Sequence, residues 1–245
     1  MLHFERVSVG HRHYLMKELT FNAAIKIAKI PESHLEQRLT VFLQNVLNDE
    51  LLPLQITAQE RYALLLNYLK EQHGTLLETN LNIDNFLMLP NNFQTETEID
   101  DFKIKQLDGM ACELLEKNCK NLADWLAGAM AMQLFKITSD MPPLPDVSMT
   151  YEDYQQCFFE RVAYLKNLPV SEFNQYFDVF SNANAALNNL VRIDFDEVGL
   201  VLRGTDDAPY RFCPSSTFTG IISELDRYFT QSRTVNQSKR QHESV

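Results

Sequence analysis

Seven glycines in 245 residues are too few and too scattered to build a Gly-rich loop. GxGxxG, the Walker A pattern and GxSxG are all missing, and so is HExxH. A phosphate cradle needs glycines so that backbone N–H groups can approach the anion, so mononucleotide-binding chemistry has no support here, and hydrolase chemistry of the nucleophile-elbow type has none either. Cysteine is scarce as well. Cys112, Cys119, Cys157 and Cys213 form no CxxC pair, and four cysteines in a chain of this length are not a disulfide scaffold. On one helix Cys112 and Cys119 would share a face about 10.5 Å apart along the axis, too far for a disulfide or a shared metal, which leaves reduced structural thiols. No apolar run approaches the roughly 20 residues that span a bilayer. The opening MLHFERVSVG carries charges where a signal peptide needs an unbroken apolar stretch, so the expectation is a soluble chain, intracellular when made. Basic residues are outnumbered, 22 against 33 acidic, and the formal net charge of −11 opposes attraction to phosphate backbones or anionic membranes. Nucleic acid is therefore not an expected partner.

What is present is enough to fold. Apolar residues make up 45% of the chain, with sixteen Phe among them, and these can bury a substantial core. The length allows one large domain or two small ones.

The opening reads as two strands, FERVSV and RHYLMKEL, reversing at Gly10-His11. FNAAIKIAKI has helical spacing until Pro31, and Glu32 to Leu47 forms a second helix with Leu35, Leu39, Phe42, Val46 and Leu47 on its apolar side; Pro53 closes the region. TAQE at Thr57 to Glu60 matches a capping box at the head of a third helix, in which the Thr57 hydroxyl accepts from the Glu60 N–H and the Glu60 carboxylate reaches back to Thr57. At about 100° per residue, Tyr62, Leu64, Leu65, Leu66, Tyr68 and Leu69 sweep more than half of that helix, leaving Gln59, Glu60, Ala63, Asn67 and Lys70 as a polar strip. Arg61 falls inside the apolar sweep. Either its stem lies on apolar surface with the head in water, or it pairs with a group elsewhere in the fold or in another chain.

Residues 74 to 101 read as a long irregular passage containing one apolar segment, IDNFLMLP, placed to pack on the core or to engage a partner. FKIKQL alternates like a strand, Asp108 suits the N-cap of a helix from Gly109 to about Asn118, and LADWLAGAMAMQLF continues as an Ala-rich helix with Trp125 as a core anchor. The three prolines of SDMPPLPDVS mark an internal boundary. Helices follow from Thr150 to about Leu168 and from Val170 to Leu190, then VRIDFDEVGLVLRG and PYRFC as strands of a small β unit. A last helix runs from about Ser216 to Phe229, ahead of a polar tail.

Few groupings suggest chemistry. His11 and His13 would share one face of the hairpin, but His3, His34, His73 and His242 do not complete a ligand set. Asp194 and Asp196, with Glu197 beside them, could hold Mg²⁺, although a solvated β face explains them. Tyr151, Glu152, Asp153 and Tyr154 read as a helix start rather than as an acid–base set. Glu60 and Arg61 are helix neighbours that point about 100° apart and do not face each other. No catalytic, cofactor or metal residue is assigned from the sequence.

MKELTFNAAIKIAKIP after the hairpin, then EQRLTVFLQNVL, QITAQERYALLLNYL and ADWLAGAMAMQL, together resemble a group of tail and baseplate assembly proteins of contractile-tailed bacteriophages, over roughly residues 4 to 136. The resemblance implies a non-enzymatic virion or assembly protein, made in the host cytoplasm and working through contacts with baseplate hub, tail tube or tape-measure components. It implies no cofactor and carries over no functional residue. An assembly chaperone absent from the finished particle is the alternative within that setting; outside it stand a metal-dependent enzyme built from scattered residues such as His13, Asp194 and Asp196, and a host-directed binding protein.

The expected architecture is a predominantly helical α+β protein. Residues 1–140 hold the hairpin and a helical domain, residues 141–230 a helical pair with the small β unit and a final helix, and residues 231–245 the tail.

Overall fold

The computed structural model describes residues 6–9, 12–73, 82–88, 93–207, 209–211, 224–225 and 227–229. Strands β1 (Arg6–Val9) and β2 (Arg12–Leu15) form the expected antiparallel hairpin, with Val7 opposite Tyr14. Alternation along β2 and beyond sends Tyr14 and Met16 into the core, and Lys17 N then donates to Val46 O, fastening the hairpin to the second helix. Helix α1 (Phe21–Ala28) opens on Thr20, whose hydroxyl accepts from Ala23 N. Helix α2 (Leu35–Leu47) starts later than the sequence suggests, because His34 N bonds back to Pro31 O in a turn. It ends at Asn48 in the left-handed region, φ 55°, which Asn tolerates well. Pro53 does not simply close the region. It sits in the first turn of a short helix α3 (Leu52–Gln55), where a missing N–H costs nothing. Helix α4 (Ala58–His73) follows.

Beyond it a 3-10 turn, Ile83–Asn85, buries Ile83 and the adjoining Phe86, so the described part of IDNFLMLP packs on the core; its last two residues lie outside the described set. Next comes a sheet of which the sequence reading held only the middle strand: β3 (Glu96–Ile99), β4 (Phe102–Lys105) and β5 (Leu134–Lys136), antiparallel in that order. Helices α5 (Gly109–Asn118) and α6 (Leu122–Gln133) connect β4 to β5, and the run read as helix through Phe135 turns extended at Leu134.

Residues 139–148 carry no helix or strand, and buried residues on both sides, Leu115 and Phe158 among them, belong to one contiguous apolar core. Helices α7 (Tyr151–Lys166) and α8 (Val170–Leu187) then cover α6 and the face of β3 and β4 respectively. The C-terminal sheet is β6 (Arg192–Phe195), β7 (Leu200–Arg203) and β8 (Pro209–Tyr210), antiparallel in that order. At its hairpin, Gly199 has φ 140°, and an added Cβ would meet the Trp125 ring at 2.9 Å, so backbone and packing both require glycine. Residues 224–225 and 227–229 are helical, within the expected last helix; the rest of that helix, and the tail, lie outside the described residues.

Candidate functional site

The start of α4 concentrates the polar interactions of the N-terminal region. Thr57 N donates to Glu60 Oε2 at 2.9 Å and Glu60 N donates to Thr57 Oγ1 at 3.2 Å, the two arms of a capping box. Glu60 does more than cap. Its Oε1 accepts from Tyr14 Oη at 2.9 Å and stands 3.7 Å from the Arg12 guanidinium, which anchors the hairpin on α4. Burial, then the nearby Glu60 charge, holds the Tyr14 phenol well above its usual range.

The strip read as polar is largely an interior face: Gln59, Glu60 and Ala63 are each at most 5% exposed, and Asn67 bonds back to Ala63 O. Only toward the end does it reach solvent, where Lys70 pairs with Asp84 at 2.7 Å. Neighbours on nearly every side of α4 override what its wheel suggests.

Arg61 does not reach water. Its side chain is fully buried, and Nη2 donates to Glu36 Oε2 at 3.2 Å and to Glu36 O at 2.8 Å, while Nη1 donates to Thr40 Oγ1 at 3.0 Å and Pro53 O at 2.9 Å. Tyr62 Oη donates to the other Glu36 oxygen at 2.5 Å. Of the two alternatives left open by the sequence, pairing within the chain is the one found. Burial raises the Glu36 carboxyl against the pull of Arg61, and the same burial with the Glu36 charge lifts the Cys112 thiol well above its ordinary value. Cys112 is thus a packed thiol, not an activated nucleophile. Beside this group, the Glu116 carboxylate accepts from Glu36 N at 2.7 Å and Gln37 N at 3.2 Å; burial and the Glu36 charge raise it to about 7.

Gln59 joins α4 to the C-terminal part of the chain. Its Nε2 donates to Asn188 Oδ1 at 2.7 Å, and its Oε1 accepts from Leu190 N and Val191 N, each at 3.0 Å. Asn188 in turn accepts from Ile193 N at 3.2 Å and donates to Ile193 O at 3.1 Å.

Asp108 and most of the residues weighed as chemistry have structural partners. Asp108 caps α5 through Ala111 N at 2.8 Å and accepts from the buried Tyr154 hydroxyl at 2.7 and 2.9 Å. Asp153 N donates to Thr150 Oγ1 at 3.2 Å, closing the head of α7, where Tyr151 lies against Lys117 and Glu152 is exposed. Asp194 accepts from Arg203 Nε at 2.7 Å; Asp196 accepts from Val198 N at 2.8 Å and pairs with Arg211, while Glu197 is exposed. His13 shares a 2.8 Å hydrogen bond with Ser8, and His11 lies outside the described residues. Among the described residues no group of three or more His, Cys, Asp or Glu is arranged to hold a metal ion.

Arg161, which no motif singles out, is fully buried and donates to the carbonyls of Ala131, Leu134 and Pro142. Desolvation lowers its guanidinium to about 10. Its position in the middle of α7, amid Phe158, Val162 and Leu165, was the available signal.

Between α8 and β6 lies an open cleft of about 540 Å³, lined by Met88, Leu126, Phe177, Phe180, Asn184 and Phe195 among others. No protein-family model matches the chain, and no curated protein or solved structure does either. No helix among the described residues is long and apolar enough to cross a membrane. The cleft pairs aromatic and aliphatic walls with a few amide and hydroxyl groups, a lining suited to apolar contact; the nearby Asp194 and Arg192 are engaged with Arg203 and Asp207.

Proposed function

We propose that this is a non-enzymatic structural or assembly protein of a bacteriophage tail or baseplate, acting through protein–protein contacts with hub, tail tube or tape-measure components and residing in the virion after synthesis in the host cytoplasm. The setting comes from the sequence resemblance over residues 4 to 136. The observation that carries the mode of action is that Glu60, Asp153, Asp194 and Asp196, the acids that catalysis or a metal would use, each accept from a partner within the chain. Exposed apolar residues supply contact surface instead: Val170 is 76% exposed on α8, and Phe177, two turns along, leads into the cleft.

Mass spectrometry of purified virions and copurification with tail proteins test this reading. Detection in the particle supports a virion component. Detection in infected-cell lysate alone, with tail proteins attached, moves the protein to the chaperone role. Capture of a partner from uninfected host lysate with no tail association, or a bound metal lost on Asp194→Ala, overturns it.

A further inference from the structure

A smaller recess, of about 20 Å³, shares Asn184 and Asn188 with the cleft and adds Gln59, Gln106 and Gln133 to its wall; its other described side chains are apolar. Gln59 and Asn188 are engaged with each other and with the backbone entering β6. Gln106 is engaged on one side only. Its Nε2 donates to Gln94 O at 3.0 Å and to Leu187 O at 2.9 Å, which uses both amide hydrogens. Those contacts also fix the orientation of the group, because the reverse would set Oε1 against two carbonyl oxygens. Oε1 is therefore an acceptor, buried on a side chain that is 6% exposed, and it has no hydrogen-bond partner among the described residues. Gln133, in the last turn of α6, is 2% exposed, and half-buried Asn184 stands on α8; neither side-chain amide is hydrogen-bonded among the described residues.

We propose that the recess is a binding site for one ordered water, which donates to Gln106 Oε1 and bridges it to the Gln133 and Asn184 amides.

The space suits that occupant. Roughly 10–15 Å³ of such volume is enough for a water, and a buried water is held where it finds two to four polar partners. Here it finds one orphan acceptor and two amides that can each donate or accept. An ion does not suit the same wall, since the described lining carries no carboxylate, guanidinium, ammonium or imidazole. An apolar guest would leave Gln106 Oε1 unpaired in the interior, a cost that a water removes. The bridge joins α6, the chain just after β4 and α8, and α8 is the element that carries Phe177 and Phe180 into the cleft. The site is independent of the assembly role proposed above.

Water-to-protein NOE and ROE spectra of the ¹³C-labelled chain test the site. No hydroxyl occurs in the described lining, so a signal between water and the methyl groups of Leu187 and Ile193 is not relayed by an exchanging O–H of the wall. A water held in place should give NOEs opposite in sign to the ROEs, the mark of a long-lived contact. Gln133→Met keeps the length of the side chain and removes one partner. In that variant the methyl NOEs should be lost and the urea midpoint should fall at unchanged m-value. Missing methyl signals in the wild type, NOEs and ROEs of one sign, or signals unchanged in the folded variant overturn the proposal. A raised midpoint for Gln133→Met does so too, since that is what replacing a dry, unbonded amide by an apolar chain would give. The wild-type spectra decide should the variant fail to fold.

Discussion

Gln59 and Asn188 meet amide to amide at 2.7 Å, although 129 residues separate them. With both Gln59 polar atoms in use, Gln59→Ala strips the acceptor from two buried N–H groups and the donor from Asn188. At about 1–3 kcal/mol for a buried group left unpaired, partly offset by relaxation, the expected loss is about 2–4 kcal/mol, read as a lower urea midpoint at unchanged m-value.

Removing one partner of the buried pair should cost more. Arg61→Met leaves the Glu36 carboxylate with only the Tyr62 hydroxyl, for a loss of about 3–5 kcal/mol in denaturant unfolding. Adding Glu36→Gln removes the stranded charge, so the double variant should be more stable than the sum of the single losses implies. Strict additivity would show that the two side chains do not interact.

Gly109 reverses a common rule. Gly→Ala in a helix ordinarily gains about 0.5–1 kcal/mol, but a Cβ at Gly109 would collide with Pro53 O and the Arg61 guanidinium. Gly109→Ala is expected to destabilise by about 1–3 kcal/mol, as overpacking does, and thermal unfolding gives the sign at once.

Asp194→Ala should change little. The side chain is 47% exposed and its ion pair with Arg203 belongs to a class worth at most about 1 kcal/mol. Chemical denaturation should place the variant within that margin, and elemental analysis should give the same metal content before and after the substitution.

Elements with strong local signals were legible in the sequence. The hairpin, the Thr57–Glu60 capping box, the Asp108 cap, the Trp125 anchor and the strands β6 and β7 appear where spacing and capping put them. Strands β3 and β5 did not show themselves, for different reasons. ETEI in β3 is polar at alternate positions and only half-buried at the others, so it has no apolar stripe; LFK in β5 continues the apolar run of α6 with neither glycine nor proline to mark the change. Polar residues of α4 were misplaced because a helical wheel knows its own helix only. Whether Gln59 and Arg61 face water or a partner depends on Asn188 and Glu36, which no local spacing connects to them.

The Asn188 side chain presents to Ile193 one acceptor and one donor, the pair of groups that an adjoining peptide unit would present. It therefore stands in for a missing strand at the outer edge of β6. Because Gln59 holds that amide in place, a stray β-segment, whether from a misfolded copy or a neighbouring chain, finds the central hydrogen-bonding position of this edge already taken. Asn188→Ala would thus do more than weaken the fold: it would open the sheet to recruitment of foreign strands, visible as concentration-dependent aggregation at temperatures where the chain is still folded.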